Sequence, residues 1–251
     1  MLVKSSALFY FRRSDIVLAM SSSRTARERV RAELTREIAD IARRQLATEG
    51  AAGLSLRAVA REMGMVSSAI YRYFPSRDDL LTTLIIDGYN ALGEAVENAD
   101  AATPREEHTG RWLAVCHAVR DWALAHPHEY ALLYGSPVPG YQAPQDTVAA
   151  AVRDTVVYGR IVSDAHHAGA LNPPDVVPPP SAAFAEDAAR VREIISDIPD
   201  DVVARALVAW TGLFGWVSFE LFGQFNNAIL NRDPAFDHAM RSHAAYLGLP
   251  L

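Results

Sequence analysis

The chain of 251 residues has a single cysteine, Cys116, so neither an internal disulfide nor a cysteine-based zinc site is open to it. Cys116 lies in an apolar helical run and reads as a small buried side chain. No stretch alternates strictly between apolar and polar residues, which removes the signature of a half-buried strand. No apolar run approaches the roughly 20 residues that a bilayer-spanning helix needs, and no membrane partner is expected. Common catalytic signatures are missing as well: no G-x-S-x-G, H-E-x-x-H, G-x-G-x-x-G or phosphate loop is present. An enzyme is therefore not expected, and neither is a cofactor. His166 and His167, adjacent on a helix, face different directions and make a poor metal pair, so no metal is expected.

What is present reads as helix. Half the residues are hydrophobic, 22% are charged, and Gly and Pro number 14 each, a folded composition rich in Ala and Leu. Lys4 is the only lysine, an arginine preference that reads as the coding bias of a GC-rich genome. The net charge of −6 hides an asymmetry. Residues 1–77 hold 14 Lys+Arg against 7 Asp+Glu, a net of +7, which leaves 10 basic and 23 acidic groups, a net of −13, for the remainder. A basic amino-terminal part on an acidic body is expected where one end faces phosphates.

Punctuation and periodicity divide the chain in three. Residues 1–23 are expected to be a disordered arm, with a DNA-touching arm as the alternative; Met20, followed by three serines, reads as an alternative start. Residues 24–85 form a first unit. Its opening helix, about 25–49, carries the stripe Val30, Leu34, Ile38, Ile41, Ala42 and Leu46. Residues 86–251 form a second unit, and the boundary falls inside a long helix at 77–99. Further helices are expected at 109–125, 128–134, 145–168, 183–196, 199–222 and 233–247, with proline-rich breaks between several of them, for nine or ten helices in all.

The stretch from Gly53 to Asp79 organises the rest. Ser55 is an N-cap before Leu56, Val59, Ala60 and Met63, and Gly64 ends that short helix. A second short helix follows, about Ser67 to Tyr73, stopped by Pro75. Ser76 and Asp79 make a capping-box start for the next helix. Short helix, tight turn, short helix is the helix-turn-helix pattern, whose second helix enters the DNA major groove.

The runs Ser55-Leu-Arg-Ala-Val-Ala-Arg-Glu-Met-Gly64 and Ile70-Tyr-Arg-Tyr-Phe-Pro-Ser-Arg-Asp-Asp-Leu80 resemble the tetracycline-repressor family of bacterial regulators. The resemblance covers roughly residues 25–95. It implies an all-α protein with an amino-terminal three-helix DNA-binding domain and a carboxy-terminal helical domain for ligand binding and dimerisation. A looser likeness to one subgroup's ligand domain lies in His126 to Tyr141. Val66 departs from the family's usual Ser at the cap of the recognition helix, so Ser67 takes over capping and shifts that helix by one. Tyr73 stands for the more usual His, and Arg77 for the more usual Lys.

The DNA-contact candidates are Ser55, Arg57, Ser67, Ser68, Tyr71, Arg72, Tyr73 and Arg77. Small hydroxyls fit against base edges or phosphates, Arg72 suits guanine or phosphate, and helix starts favour anions. The resemblance implies a backbone contact for Tyr71. Capping for the serines, core packing for Tyr73 and simple solvation for Arg72 are the competing readings. Arg24, Arg27 and Arg31 suit flanking phosphates or a solvated face equally well. Trp112, His117, Trp122, Tyr130, Tyr134, Tyr158, Trp210 and Phe214 are candidates to line a cavity for a small apolar or aromatic ligand, against the alternative of ordinary helical core. The apolar run Ala206–Phe222 and the last helix are expected to pair with a second copy as a four-helix bundle. The function expected is a cytoplasmic, ligand-responsive regulator of transcription. It would act as a repressor and as a homodimer on a palindromic double-stranded operator.

Overall fold

The computed structural model describes residues 13–195 and 198–251, with side chains from Thr25 onward. Among the described residues there are eleven α-helices and no strand. They are α1 (Arg13–Gly53), α2 (Leu56–Glu62), α3 (Ser67–Ile70), α4 (Arg77–Ala101), α5 (His108–Ala125), α6 (Pro127–Tyr134), α7 (Val148–Ala151), α8 (Arg153–His167), α9 (Ala185–Arg192), α10 (Asp200–Leu221) and α11 (Arg232–Leu247).

Three boundaries correct the sequence reading. Of the arm expected at 1–23, residues 1–12 lie outside the described residues, but 13–23 are helical. No Gly or Pro stands between Arg13 and Glu49 to stop the helix, and α1 first bends at Gly50, which has φ 68°. The helix expected at 145–168 is broken at Val152 (φ −92°, ψ −1°), which separates α7 from α8. The regular part of the recognition helix ends at Ile70 rather than Tyr73. Residues 71–73 continue as turns, with Tyr73 N–H donating to Ile70 O at 2.9 Å.

Two hydrophobic cores form. The smaller gathers Ile38, Ala42 and Leu46 of α1, Val59 and Ala60 of α2, Ile70 and Phe74, and Leu80, Leu81 and Leu84 of α4. Val30, assigned to the same stripe, is instead 55% exposed, because α1 at that level runs past its partners. The larger core draws on α5, α8, α10 and α11, and on Leu92 and Val96 of α4. One helix, α4, therefore supplies both cores. Around it, Leu132, Val138 and Tyr141 from α6 and the following loop pack onto the smaller core. The Tyr141 hydroxyl lies 2.9 Å from Thr82 Oγ1, and Arg43 of α1 reaches Asp87 at 2.7 Å and Glu129 at 3.4 Å.

Buried ion pairs fix the larger part. The fully buried Arg111 joins Asp100 of α4 (2.7 Å) to Asp164 of α8 (2.8 Å). Arg120 of α5 grips Glu220 of α10 with two bonds of 2.8 Å and reaches Asp233 at 2.7 Å.

Helix α10 corrects the expectation that no apolar run reaches bilayer length. Its 22 residues have mean hydropathy 1.5 over the most apolar window, enough by length and composition to cross a membrane. Its ends hold Arg205 and Glu220, both buried and ion-paired, and one flank packs into the larger core. The other flank leaves Val208, Phe219 and Phe222 about half exposed.

Candidate nucleic-acid interface and ligand cavity

The helix-turn-helix is built by local chemistry. Ser55 caps α2, its Oγ accepting from Ala58 N–H at 3.4 Å. Gly64, at φ 67°, closes α2 with paired bonds, Met65 N–H to Ala60 O (2.8 Å) and Gly64 N–H to Arg61 O (3.1 Å), the arrangement in which only a left-handed residue fits. Val66 then stands as the cap of α3, extended, 72% exposed and with no side-chain cap bond. Ser67 therefore does not take over capping, a correction: it is already the first helical residue. The Ser76–Asp79 capping box forms with both reciprocal bonds and starts α4.

The candidate contact residues separate into two groups. Arg57, Ser67, Ser68, Tyr71 and Arg72 are exposed, and their side chains make no hydrogen bond or ion pair among the described residues. A capping role for the two serines, the competing reading, is thus not in use. Tyr73 is half-buried, with the Arg31 guanidinium 5.5 Å from its ring centre, while Arg31 also donates to Arg72 O at 2.9 Å. An open groove runs there, lined by Ala26, Arg27, Val30, Arg31 and Tyr73. Arg77 differs. Its Nε donates to Leu54 O (3.1 Å) and its Nη2 to Ala51 O (2.6 Å), with Asp78 3.7 Å away. Those are loose carbonyls at the end of α1, so the guanidinium is a strut for the turn and not a free phosphate clamp.

In the larger part, a cavity of about 260 Å³ opens between α5, α8, α9 and α10. Three of the eight expected residues line it: Trp112, Tyr158 and Trp210. The other five are placed elsewhere. Tyr130 is fully buried, its hydroxyl bonded to Ser218 Oγ (2.8 Å) and Phe214 O (3.1 Å), and burial pushes its pKa up to about 12. Tyr134 and Phe214 stack on each other at 4.6 Å. Trp122 stacks on His126, and His117 faces α11, 3.5 Å from Asp237. Large aromatic residues fill core as readily as they wall a cavity, and the sequence cannot tell the two apart.

Sequence reasoning missed the smaller wall residues, among them Thr155, Gly159, Ile195 and Leu207. A Cβ on Gly159 would run into Ile195, so α8 meets the segment after α9 only because this position is glycine. It also missed Asp154, buried on α8 next to the wall residue Thr155 but not itself lining the cavity. Desolvation raises its carboxyl pKa to about 6, against weaker lowering from Thr155. Among the described residues, no group of three or more His, Cys, Asp or Glu is gathered as a metal ion would need.

Comparison with known proteins gives a consistent result. The family model described as "Bacterial regulatory proteins, tetR family" matches residues 38–84, and "Tetracyclin repressor-like, C-terminal domain" matches residues 112–243. The HTH-type transcriptional regulator Rv1816 of Mycobacterium tuberculosis is 41% identical over 229 residues, 89% of this chain and 94% of that protein. Mb1846 of Mycobacterium bovis, with the same description, matches to the same extent. Of solved structures, the regulatory protein SCO4313 superposes with a TM-score of 0.71 at 34% identity, over 86% of this chain and 97% of that one. A protein of unknown function from Rhodococcus sp. RHA1 superposes with a TM-score of 0.62 at 28% identity, over 83% and 94%.

Proposed function

Because the chain belongs to the tetracycline-repressor family of bacterial DNA-binding transcriptional regulators, we propose that it is a cytoplasmic, ligand-responsive repressor. It binds a palindromic operator as a homodimer and is released by a small molecule. The domains are 24–85 for DNA and 86–251 for ligand and partner, divided within α4.

The observation that carries this reading is that one helix, α4, joins the core beneath a DNA-ready surface to the larger core that holds the cavity. At one end of α4, Arg57, Ser67, Ser68, Tyr71 and Arg72 are exposed with unengaged side chains, as groups awaiting phosphates and base edges would be. Tyr73 and Ser55 flank them, one under Arg31 and one capping α2. Two recognition helices in successive major grooves, about one helical turn apart, require two copies. The half-exposed Val208 and Phe219 on α10 and Phe222 at its C-terminal cap, with Gly215 open between them, supply the face for a second copy.

At the other end of α4 lies the larger core with its cavity. A ligand there acts only if it binds the DNA-competent and the released arrangements unequally. Both α4 itself and the Thr82–Tyr141 and Arg43–Glu129 contacts carry the difference to the head.

The test is selection of bound genomic fragments, followed by titration of the recovered site. The expected result is a palindromic site bound by two protomers; failure to enrich any such site at low salt overturns the reading.

A further inference from the structure

We infer that Val66 is a specificity-determining residue, its side chain reading the C5-methyl group of a thymine in the major groove of each operator half-site. This rests on reading the amino-terminal part as an operator binder, and it names the base chemistry that one of its residues recognises.

Val66 stands in the turn of the helix-turn-helix, directly before Ser67, the first residue of α3. The N-terminal residues of a recognition helix are the ones that reach base edges. The backbone of Val66 is extended (φ −67°, ψ 137°), and its carbonyl accepts from Ala69 N–H at 2.8 Å, so the first turn of α3 fixes its position.

Nothing inside the chain accounts for an isopropyl group at this place. Val66 is 72% exposed, whereas Met63 and Met65 just before it pack against the smaller core. Valine is also among the poorest helix caps. It makes no side-chain cap bond here, where Ser, Thr, Asp or Asn would satisfy a free N–H. A single exposed valine is ordinary on a protein surface. One at the start of the helix that enters the groove, in a position that local stability would give to a polar residue, calls for an apolar partner from outside the chain.

DNA offers one such partner there. The thymine methyl is the only apolar group that an unmodified base pair shows in the major groove. In the recognition segment 66–73, Val66 is the one exposed aliphatic side chain, since Ile70 is buried and Ala69 half-buried. Its β-branched side chain is stiff, so little rotamer freedom is lost on contact. The exposed arginines Arg57 and Arg72 suit the phosphates on either side, and Ser67 and Ser68 suit polar base edges.

The experiment takes the operator recovered by selection and replaces each thymine singly by deoxyuridine, which lacks only the methyl group. Binding of the full-length protein is read by fluorescence anisotropy. At one thymine in each half-site, affinity is expected to fall about fourfold, and about fifteenfold when both half-sites are changed, the worth of one and two buried methyl groups. Val66→Ser is expected to bind the thymine and deoxyuridine duplexes equally, without a lower Tm, because serine is the better cap. Val66→Asn, a second capping residue, gives the same result if the serine variant fails to fold. A selected half-site without thymine, or no position whose deoxyuridine effect is lost in these variants, overturns the assignment of Val66 and leaves the operator reading intact. Failure to bind any selected duplex overturns both.

Discussion

Three arginines near the helix-turn-helix look interchangeable in the sequence, and their environments predict opposite phenotypes. Arg57 and Arg72 are exposed and unpaired; Arg77 spends its donors on Leu54 O and Ala51 O. Replacing Arg57 or Arg72 by Ala removes no internal contact, so the stability change stays within about 0.5 kcal/mol. If each contacts one phosphate, a dimer loses two contacts, and the slope of log K against log salt falls by about 1.8. Replacing Arg77 by Ala instead removes two charge-assisted bonds to half-buried carbonyls. Allowing for partial solvent screening, this costs about 2 kcal/mol, or about 4–8 °C in Tm, with little change in salt slope. Fluorescence anisotropy of a labelled duplex over a range of KCl concentrations reads the slope, and calorimetry reads the stability. The assignment fails if Arg77→Ala flattens the salt slope while leaving Tm unchanged, or if Arg57→Ala and Arg72→Ala lower Tm and leave the slope intact.

Two glycines three residues apart on α10 separate assembly from folding. A side chain at Gly215 meets nothing within 4 Å, so Gly215→Arg yields a folded monomer in sedimentation velocity. A Cβ at Gly212 runs into the His243 ring, so Gly212→Ala lowers the unfolding midpoint. Asp154 gives a pH signature. Burial raises its folded pKa to about 6 from the ordinary 3.8, so the folded state holds a proton that the unfolded state has lost between those values, and stability falls as pH rises through that window. Asp154→Asn is therefore expected to gain up to about 3 kcal/mol at pH 7 and nothing below about pH 4 by denaturant titration; a pH-independent difference refutes this. Glu220→Leu leaves the buried Arg120 with only the exposed Asp233 as partner and should cost up to about 3 kcal/mol; a loss below about 1 kcal/mol would show that the pair does not hold α5 to α10.

The helix-turn-helix, the caps of α2 and α4 and the basic charge of the amino-terminal part were legible in the sequence because each depends on neighbours in the chain. Ser55, Gly64 and the Ser76–Asp79 box act over three or four residues, and the charge asymmetry is a count. The same holds for most helix boundaries, which Gly and Pro punctuate. Contacts between distant residues were not legible. Arg77 looked like Arg57 until its partners 23 and 26 residues away came into view. Eight aromatic or histidine residues looked equally fit to wall a cavity, and tertiary packing chose three. Asp154 carried no signal in the sequence, because its significance lies in the arginine that the fold does not bring to it. Local hydrogen bonding and periodicity are properties of short segments, so the sequence determined the elements. Whether a polar group is free, spent or stranded depends on what the fold packs around it, and only the tertiary structure decided that.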